Sequence, residues 1–334
     1  MSGDLEFGQR DRDPSAEVAP CPLCGEEAPF EAVYRDCHDV LHWGPGTYSV
    51  VRCCTCQLVR TSPRPHVSAL GEFYPSQYYD HAAPEERELN GAGRVIKAAL
   101  RAPYHRRYGS SVDLDPPDRP GRRFLDIGCG TGVRLARAAR LGWEAWGVEP
   151  TAAAVAVARS RPEISEDRLV MATLDDALLP EGTFDLATMS HVLEHVPDPV
   201  ATVALLRRLL GPDGRIRMWV PDFASLERRM FRRSWLGLDV PRHLFHFTPA
   251  TLTDLLHRGG FEVERLVPHF QASSLSGSLQ LWQRRARRSR GDYRHSPVAY
   301  HMCLPPAAVL CALGHSGVID VTARRVDDRT RADL

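Results

Sequence analysis

Residues 125–132 read Leu-Asp-Ile-Gly-Cys-Gly-Thr-Gly, and no other stretch narrows so far the folds open to this chain. A short apolar run ends in an acid, and three glycines then alternate with small residues before a helical pattern begins. Glycine has no Cβ, so such a loop can turn sharply after a strand and press against a ligand. A dinucleotide loop would place its third glycine three positions after the second, where Val133 stands; here it comes one residue earlier, at Gly132. Asp126, just ahead of the loop, would repel a pyrophosphate and suits a ligand with an ammonium or sulfonium group.

The loop opens a run of alternating elements. The pattern predicts strands over 123–127, 145–149, 169–172, 186–189 and 215–220, with helices over 132–141, 152–159 and 199–210 between them. Such alternation predicts a parallel sheet with helices on both faces. Thr248-Pro249 is a helix start, with a good N-cap before a first-turn proline, and Gly259-Gly260 a helix stop. Strands over 261–267 and 318–324 follow. The stretch 271–316 is too long for a turn and reads as a helical insertion. Residues 115–121, Asp-Pro-Pro-Asp-Arg-Pro-Gly, suit a linker.

Composition excludes more than it selects. The 42 basic and 42 acidic residues cancel, giving no general electrostatic case for a nucleic-acid or membrane partner. Lys97 is the one lysine, and arginine, alanine and proline abound, which reads as a coding bias. Residues 1–19 have no apolar core of a signal peptide, and the apolar run 297–314 is broken by His301 and Pro305-Pro306. Neither an exported nor a membrane-spanning protein is expected, and a cytoplasmic location is. Nine cysteines then suggest metal binding or free thiols. Cys21, Cys24, Cys53 and Cys56 form two pairs with the spacing of facing zinc knuckles, and Gly25 permits the first tight turn. They predict a structural Zn²⁺ held by four thiolates, closed to substrate. Cys54 would be a bystander, and Cys37-His38 a weaker alternative pair. The expected layout is a disordered start over 1–18, a zinc ribbon over 19–80, a helical linker over 81–121, and an α/β domain over 122–334.

Four features then occur in order: the glycine loop, Gly-Val-Glu-Pro around Glu149, Thr173-Leu174-Asp175, and the run from Phe184-Asp185 to Met189-Ser190-His191-Val-Leu-Glu-His195-Val-Pro-Asp-Pro. With Leu-Leu-Gly-Pro-Asp-Gly-Arg215 they make the chain from Arg122 onward resemble a class I S-adenosylmethionine-dependent methyltransferase, a Rossmann-like seven-stranded α/β fold ending in an antiparallel strand. By that resemblance Asp126, Gly128, Cys129, Gly130 and Gly132 line the methionine and ribose side of the cofactor. Glu149 holds the ribose, Thr173, Leu174 and Asp175 flank the adenine, and Met189-Ser190 close the pocket below the methyl group. Pro63-Arg-Pro65 and Tyr74-Pro-Ser-Gln-Tyr-Tyr79 extend the likeness to bacterial methyltransferases with an N-terminal zinc ribbon, which act on sugars, lipid-linked intermediates or secondary metabolites.

If the acceptor is a hydroxyl, a histidine is the natural base near neutral pH. His243 and His195 rank first, with His191 and His246 behind them. His191 and His195, four apart, would share a face on a helix. The expected function is methyl transfer to oxygen or carbon of a small molecule or glycan intermediate. The alternative is an RNA methyltransferase reading RNA through its ribbon, which the neutral charge disfavours. Arg284 to Arg290, beside Leu279, Leu281 and Trp282, reads as a solvated arginine face or a basic helix touching anionic lipid. The insertion could also supply contacts for a homodimer.

Overall fold

A computed structural model describes residues 16–27, 29–39, 46–74, 91–109, 112–287 and 296–326. Pro75 to Tyr79 of the aromatic motif, Arg288 and Arg290, and the expected disorder up to residue 15 lie outside the described residues. The N-terminal module has strands β1 (Ala16–Glu17), β2 (Phe30–Cys37), β3 (Tyr48–Cys53), β4 (Val59–Ser62) and β5 (Arg64–Pro65). The end of the segment expected to be disordered is thus a strand: β1 pairs antiparallel with β5, and Glu17 accepts from Arg64 Nε at 2.8 Å. Helix α1 (Gly91–Tyr108) follows.

The α/β domain then runs β6 (Arg123–Ile127), α2 (Val133–Arg140), β7 (Glu144–Val148), α3 (Ala152–Arg159), β8 (Leu169–Val170), β9 (Phe184–Ser190), α4 (Pro199–Leu209) and β10 (Leu210–Pro221). It closes with α5 (Leu226–Phe231), β11 (Phe245–His246), α6 (Pro249–Arg258), β12 (Phe261–Pro268), α7 (Ala272–Ala286), α8 (Pro297–Met302), α9 (Leu304–Ala312) and β13 (Val318–Arg325). Seven strands form one sheet in the order β12-β13-β10-β9-β6-β7-β8. β13 lies antiparallel between β10 and β12, and β6 to β10 are mutually parallel where they pair. This is the Rossmann-like order and antiparallel last strand expected from sequence. Central strands are covered on both faces, so they read as apolar runs; Phe124, Leu125, Ala187, Met218 and Val220 are all buried. β10 begins five residues before the expected strand, because its register slips between Leu210 and Arg215 across Gly-Pro-Asp-Gly.

Local chemistry sets the helix starts. Asp198 Oδ1 caps α4 by accepting from Val200 and Ala201 amides at 2.9 and 3.0 Å. Thr248 and Thr251 form a reciprocal capping box on α6, with Pro249 in its first turn. The two modules share one sheet and one core. β11, from the α/β domain, pairs with β4 and completes the order β11-β4-β3-β2. Cys21, Leu23, Cys53 and Leu58 join the same buried cluster as Leu244, Phe245 and Phe247, and Arg258 Nη1 donates to the Leu23 carbonyl at 3.0 Å.

Candidate active site

The glycine loop leaves the carboxyl end of β6, next to the switch in strand order where open α/β sheets bind ligands. Gly128, Gly130 and Gly132 have φ of +66°, +54° and +77°, a region that glycine alone enters freely. Their neighbours differ. A Cβ on Gly128 would lie 2.5 Å from Val192 Cγ2, and one on Gly132 2.5 Å from Ile164 Cδ1, whereas one on Gly130 would meet nothing within 4 Å. Two glycines therefore pack the loop, and the third faces open space. Cys129 is buried against Gly147, and burial pushes its thiol well above the usual range.

Glu149, at the end of β7, is buried and orients the loop. Its Oε2 accepts from the Gly130 amide and its Oε1 from the Thr151 amide, both at 3.0 Å. Each oxygen keeps a second lone pair for a hydroxyl donor. Asp126 is 1% exposed, and its Oδ1 accepts from Arg134 Nη1 and Thr188 Oγ1, both at 2.7 Å. Arg134 thus meets part of its charge, while Oδ2 is buried with no hydrogen-bond partner. Thr173 and Asp175 are exposed, with Thr173 Oγ1 donating to Asp176 at 2.7 Å, while Leu174 packs on the main core. Met189 is buried in that core and Ser190 is half-buried at the β9 exit.

Beyond Ser190 the chain turns instead of entering the helix that the four-residue spacing allowed. His191 takes φ +54°, outside the helical region. Its Nδ1 lies 3.2 Å from Glu194 Oε1 and its Nε2 3.1 Å from Gln271 Oε1. Burial disfavours its charge, but the Glu194 carboxylate outweighs this and raises its pKa. Glu194 is buried, and its Oε2 has no hydrogen-bond partner. Burial opposes its ionisation, yet His191 and the other histidines pull it down to about 2.

His195 and His243 meet edge to face with centroids 4.6 Å apart, and His246 lies 6.4 Å beyond His243. The carbonyl of Arg242, 3.0 Å from His195 Nδ1, can only accept, so that nitrogen carries the proton and shares it with Tyr74 Oη at 2.8 Å. The Gly237 carbonyl fixes His243 Nδ1–H in the same way at 2.9 Å. His195 Nε2 is thus left to accept, while His243 Nε2 lies 3.9 Å from Asp239 Oδ2. Burial, then the neighbouring His243, lowers His195 to about 4 and His246 to about 3, so both are neutral near pH 7. Glu194, His195 and His243 bring ligand-type atoms within 4.8 Å of one another.

The segment carrying His243 is held from below. Arg242 is fully buried and donates to Asp39 at 3.0 and 2.7 Å, and its Nε donates to both Asp239 oxygens at 3.1 and 3.0 Å. The Leu244 and Phe245 amides donate to the Glu194 carbonyl at 2.8 and 3.1 Å, and Thr61 Oγ1, on β4, donates to the His243 carbonyl at 2.7 Å. Asp39, Thr61 and Gln271 carried no sequence signal. Tyr74 and Glu194 stood inside motifs that marked their neighbourhood.

A domain described as a methyltransferase domain matches residues 100–266. A ubiquinone biosynthesis O-methyltransferase of Xanthomonas oryzae pv. oryzae (strain PXO99A) is 30% identical over 232 residues, covering 66% of this chain and 91% of that protein. This chain belongs to the methyltransferase domain family. An uncharacterized 37.1 kDa protein of a Streptomyces fradiae transposon is 37% identical over 121 residues, 35% of each chain. A solved S-adenosylmethionine-dependent methyltransferase from Mesorhizobium loti is 20% identical, covers 69% of this chain and all of its own, and superposes with a TM-score of 0.44. S-adenosylmethionine is the cofactor of this methyltransferase, and the loop fits it: open space at Gly130, and free lone pairs on Glu149 for ribose hydroxyls.

The methyltransferase also holds a second polar centre, in its N-terminal module. Cys21 and Cys56 sulfurs lie 3.5 Å apart, as do those of Cys24 and Cys53, and all four fall within 4.8 Å. The two knuckles repeat one hydrogen-bond pattern. Gly25 N donates to Cys21 O and Cys21 N to Glu26 O, while Gln57 N donates to Cys53 O and Cys53 N to Leu58 O. Cys54 is exposed, and Cys37 is buried at the far end of β2 with its thiol on the Arg35 carbonyl. Among the described residues, no helix is long and apolar enough to cross a membrane.

Proposed function

We propose that this methyltransferase methylates an oxygen of a small molecule, with His195 and His243 as the groups that accept the hydroxyl proton. The convergence of two imidazoles, each with Nδ1 fixed on a backbone carbonyl, and with His195 held neutral near pH 7, carries the reading. A relative of which nine-tenths is covered and which is described as an O-methyltransferase supports it. S-adenosylmethionine supplies an activated methyl group on sulfonium. Gly128, Gly130 and Gly132 let the backbone approach the cofactor, Glu149 orients the ribose, and Thr173 to Asp175 flank the adenine. Tyr74 and the Arg242 carbonyl hold His195 in its tautomer, and Glu194 holds the charge of His191. Exclusion of water and alignment of the acceptor supply much of the rate. Docking of the ribbon's β4 edge on β11 speaks against an RNA-reading ribbon.

The four cysteines fit a structural Zn²⁺. Bonds of about 2.3 Å in a tetrahedron set sulfurs about 3.8 Å apart, near the paired spacing. Amides of Leu23 and Cys24 point at Cys21, and those of Thr55 and Cys56 at Cys53. Arg60 supports the same reading: it is 2% exposed, its Nε and Nη2 lack hydrogen-bond partners, and it lies in the field of Cys21, Cys53 and Cys24. A tetrathiolate centre would give that cation its counter-charge. Metal analysis should find one zinc per chain, lost in Cys53→Ser.

The function is tested by incubating the protein with S-adenosylmethionine and a panel of phenols, sugars and small hydroxy acids. Release of S-adenosylhomocysteine is expected with formation of a methyl ether. His195→Ala and His243→Ala should each lower turnover 10²–10⁴-fold, the range of general base catalysis, with cofactor affinity unchanged. Methyl groups appearing only on carbon, or only on RNA, would defeat the oxygen assignment.

A further inference from the structure

One surface of the helical subdomain is not used by the methyl-transfer site. Helices α1, α7, α8 and α9 come from separate stretches of chain and pack together. Tyr104 and Tyr108 of α1 stack on Phe270 at 5.7 and 5.5 Å, and Arg101 lies 4.2 Å over the Tyr300 ring. Ser296 N, at the start of α8, donates to Gln280 of α7 at 2.9 Å.

Charge and exposure in this subdomain are both unlike the rest of the molecule. Residues 99–109 carry three arginines, residues 272–287 three, and residues 296–316 none; the three stretches contain no Asp or Glu. The whole chain, by contrast, balances 42 basic against 42 acidic residues. Among the described residues twelve large hydrophobic side chains are exposed, and six of them sit here: Leu100, Trp282, Val298, Met302, Val309 and Leu313, at 51–72% exposure. Only Cys303 separates α8 from α9, and it keeps right-handed helical angles. At 100° per residue, Val298, Met302, Val309 and Leu313 fall on one stripe, opposite buried Cys303, Leu304, Ala307 and Cys311. A helix apolar on both faces needs a cover on each.

The charges decide what covers it. A second copy of this chain would set Arg101, Arg106, Arg107, Arg284, Arg285 and Arg287 against their own equivalents with no acids to meet them, which repels. A nucleic acid would use the cations and leave the apolar stripe in water. An anionic bilayer surface satisfies both, with apolar side chains at the headgroup boundary and guanidinium groups on phosphates. We propose that this face docks the methyltransferase on anionic membranes as a peripheral protein. α7 starts at the site, where Gln271 bonds His191 at 3.1 Å, and runs roughly 22 Å to Arg285 and Trp282. The docked enzyme would thus meet acceptors at the bilayer surface. The proposal does not depend on the acceptor atom.

The test is co-sedimentation of the full chain with phosphatidylcholine vesicles, with or without a third phosphatidylglycerol. Binding is expected only to the anionic vesicles, falling at least tenfold in about 0.5 M salt, where screening is nearly complete within a few ångströms. Met302→Glu with Val309→Glu should also lower it at least tenfold, while cofactor binding and transfer to a water-soluble acceptor are kept. Equal binding to neutral vesicles, no binding to either, or unchanged binding by the double variant overturns the proposal. So does a concentration-dependent dimer abolished by the double variant, or tight binding of an RNA oligonucleotide that the double variant leaves intact.

Discussion

The cofactor wall of the site is built from a nearly continuous stretch, Gly128 to Glu149, and its polar groups find partners close by in sequence or on adjacent strands. The proposed acceptor wall gathers Tyr74, Glu194, His195, Asp239 and His243 from segments far apart, and fastens them through Asp39 and Thr61 of the N-terminal module. The first wall depends on backbone conformation, the second on buried charge and long-range hydrogen bonds. Damage to the cofactor wall should therefore be a matter of steric fit, and damage to the acceptor wall a matter of unpaired polar groups.

The sharpest break should come from Arg242→Met. It strands the Asp39 and Asp239 carboxylates in the interior, which costs about 3–5 kcal/mol, read by denaturant unfolding. A loss under about 1 kcal/mol would show that the acceptor wall is not held this way. Within the cofactor wall, Gly132→Ala combines a left-handed φ with a 2.5 Å contact at Ile164; about 2–4 kcal/mol is expected. Gly130→Ala meets no such contact and should lose only about 1–2 kcal/mol, with its larger effect on S-adenosylmethionine affinity by calorimetry. Equal losses would erase the distinction between packing glycines and the ligand-facing one.

Stability should also fall with acid, through the acceptor wall. His195 and His246 are lowered to about 4 and about 3 in the fold, so the unfolded chain takes up their protons first as pH drops below about 6.5. Their contribution is present above that pH and is lost as pH falls through the folded values. At least roughly 2–3 kcal/mol should go between pH 7 and pH 4, and less in His246→Gln. Thr61→Val removes one bond to the His243 carbonyl. About 1 kcal/mol of stability should be lost, together with turnover, while cofactor affinity stays; a fall in affinity would mean the two walls are coupled. The smallest expected change is a gain. Gln57 sits at φ +64° in the place that Gly25 fills in the matching knuckle, so Gln57→Gly should stabilise by about 0.5 kcal/mol, seen as a small rise in Tm.

Legibility in the sequence followed the same division. The strand–helix alternation, the antiparallel last strand, the glycine loop, Glu149 and the two cysteine pairs could all be read, because each rests on spacing or on local backbone chemistry. Among the histidines the sequence marked individual residues but not their grouping. A helical reading put His191 with His195, whereas the left-handed turn at His191 pairs it with Glu194 and Gln271 and leaves His195 against His243. Asp39 looks like any loop acid, and Thr61 like any strand threonine. The arginines near 285 read as a coding bias until α1 brought further cations, and no acids, beside them.

The sequence by itself determined the fold class, the cofactor and the cysteine cluster, since a loop of three left-handed glycines and two four-residue knuckles are local constraints on a few dihedral angles. Only the tertiary structure decided that the N-terminal module packs as a wall of the catalytic domain, completed by β11, and which histidine nitrogens face carbonyls. Those outcomes depend on partners as near as Gly237, 6 residues from His243, and as far as Asp39, 203 residues from Arg242. Burial makes such partners obligatory, and no local pattern encodes which ones will be met.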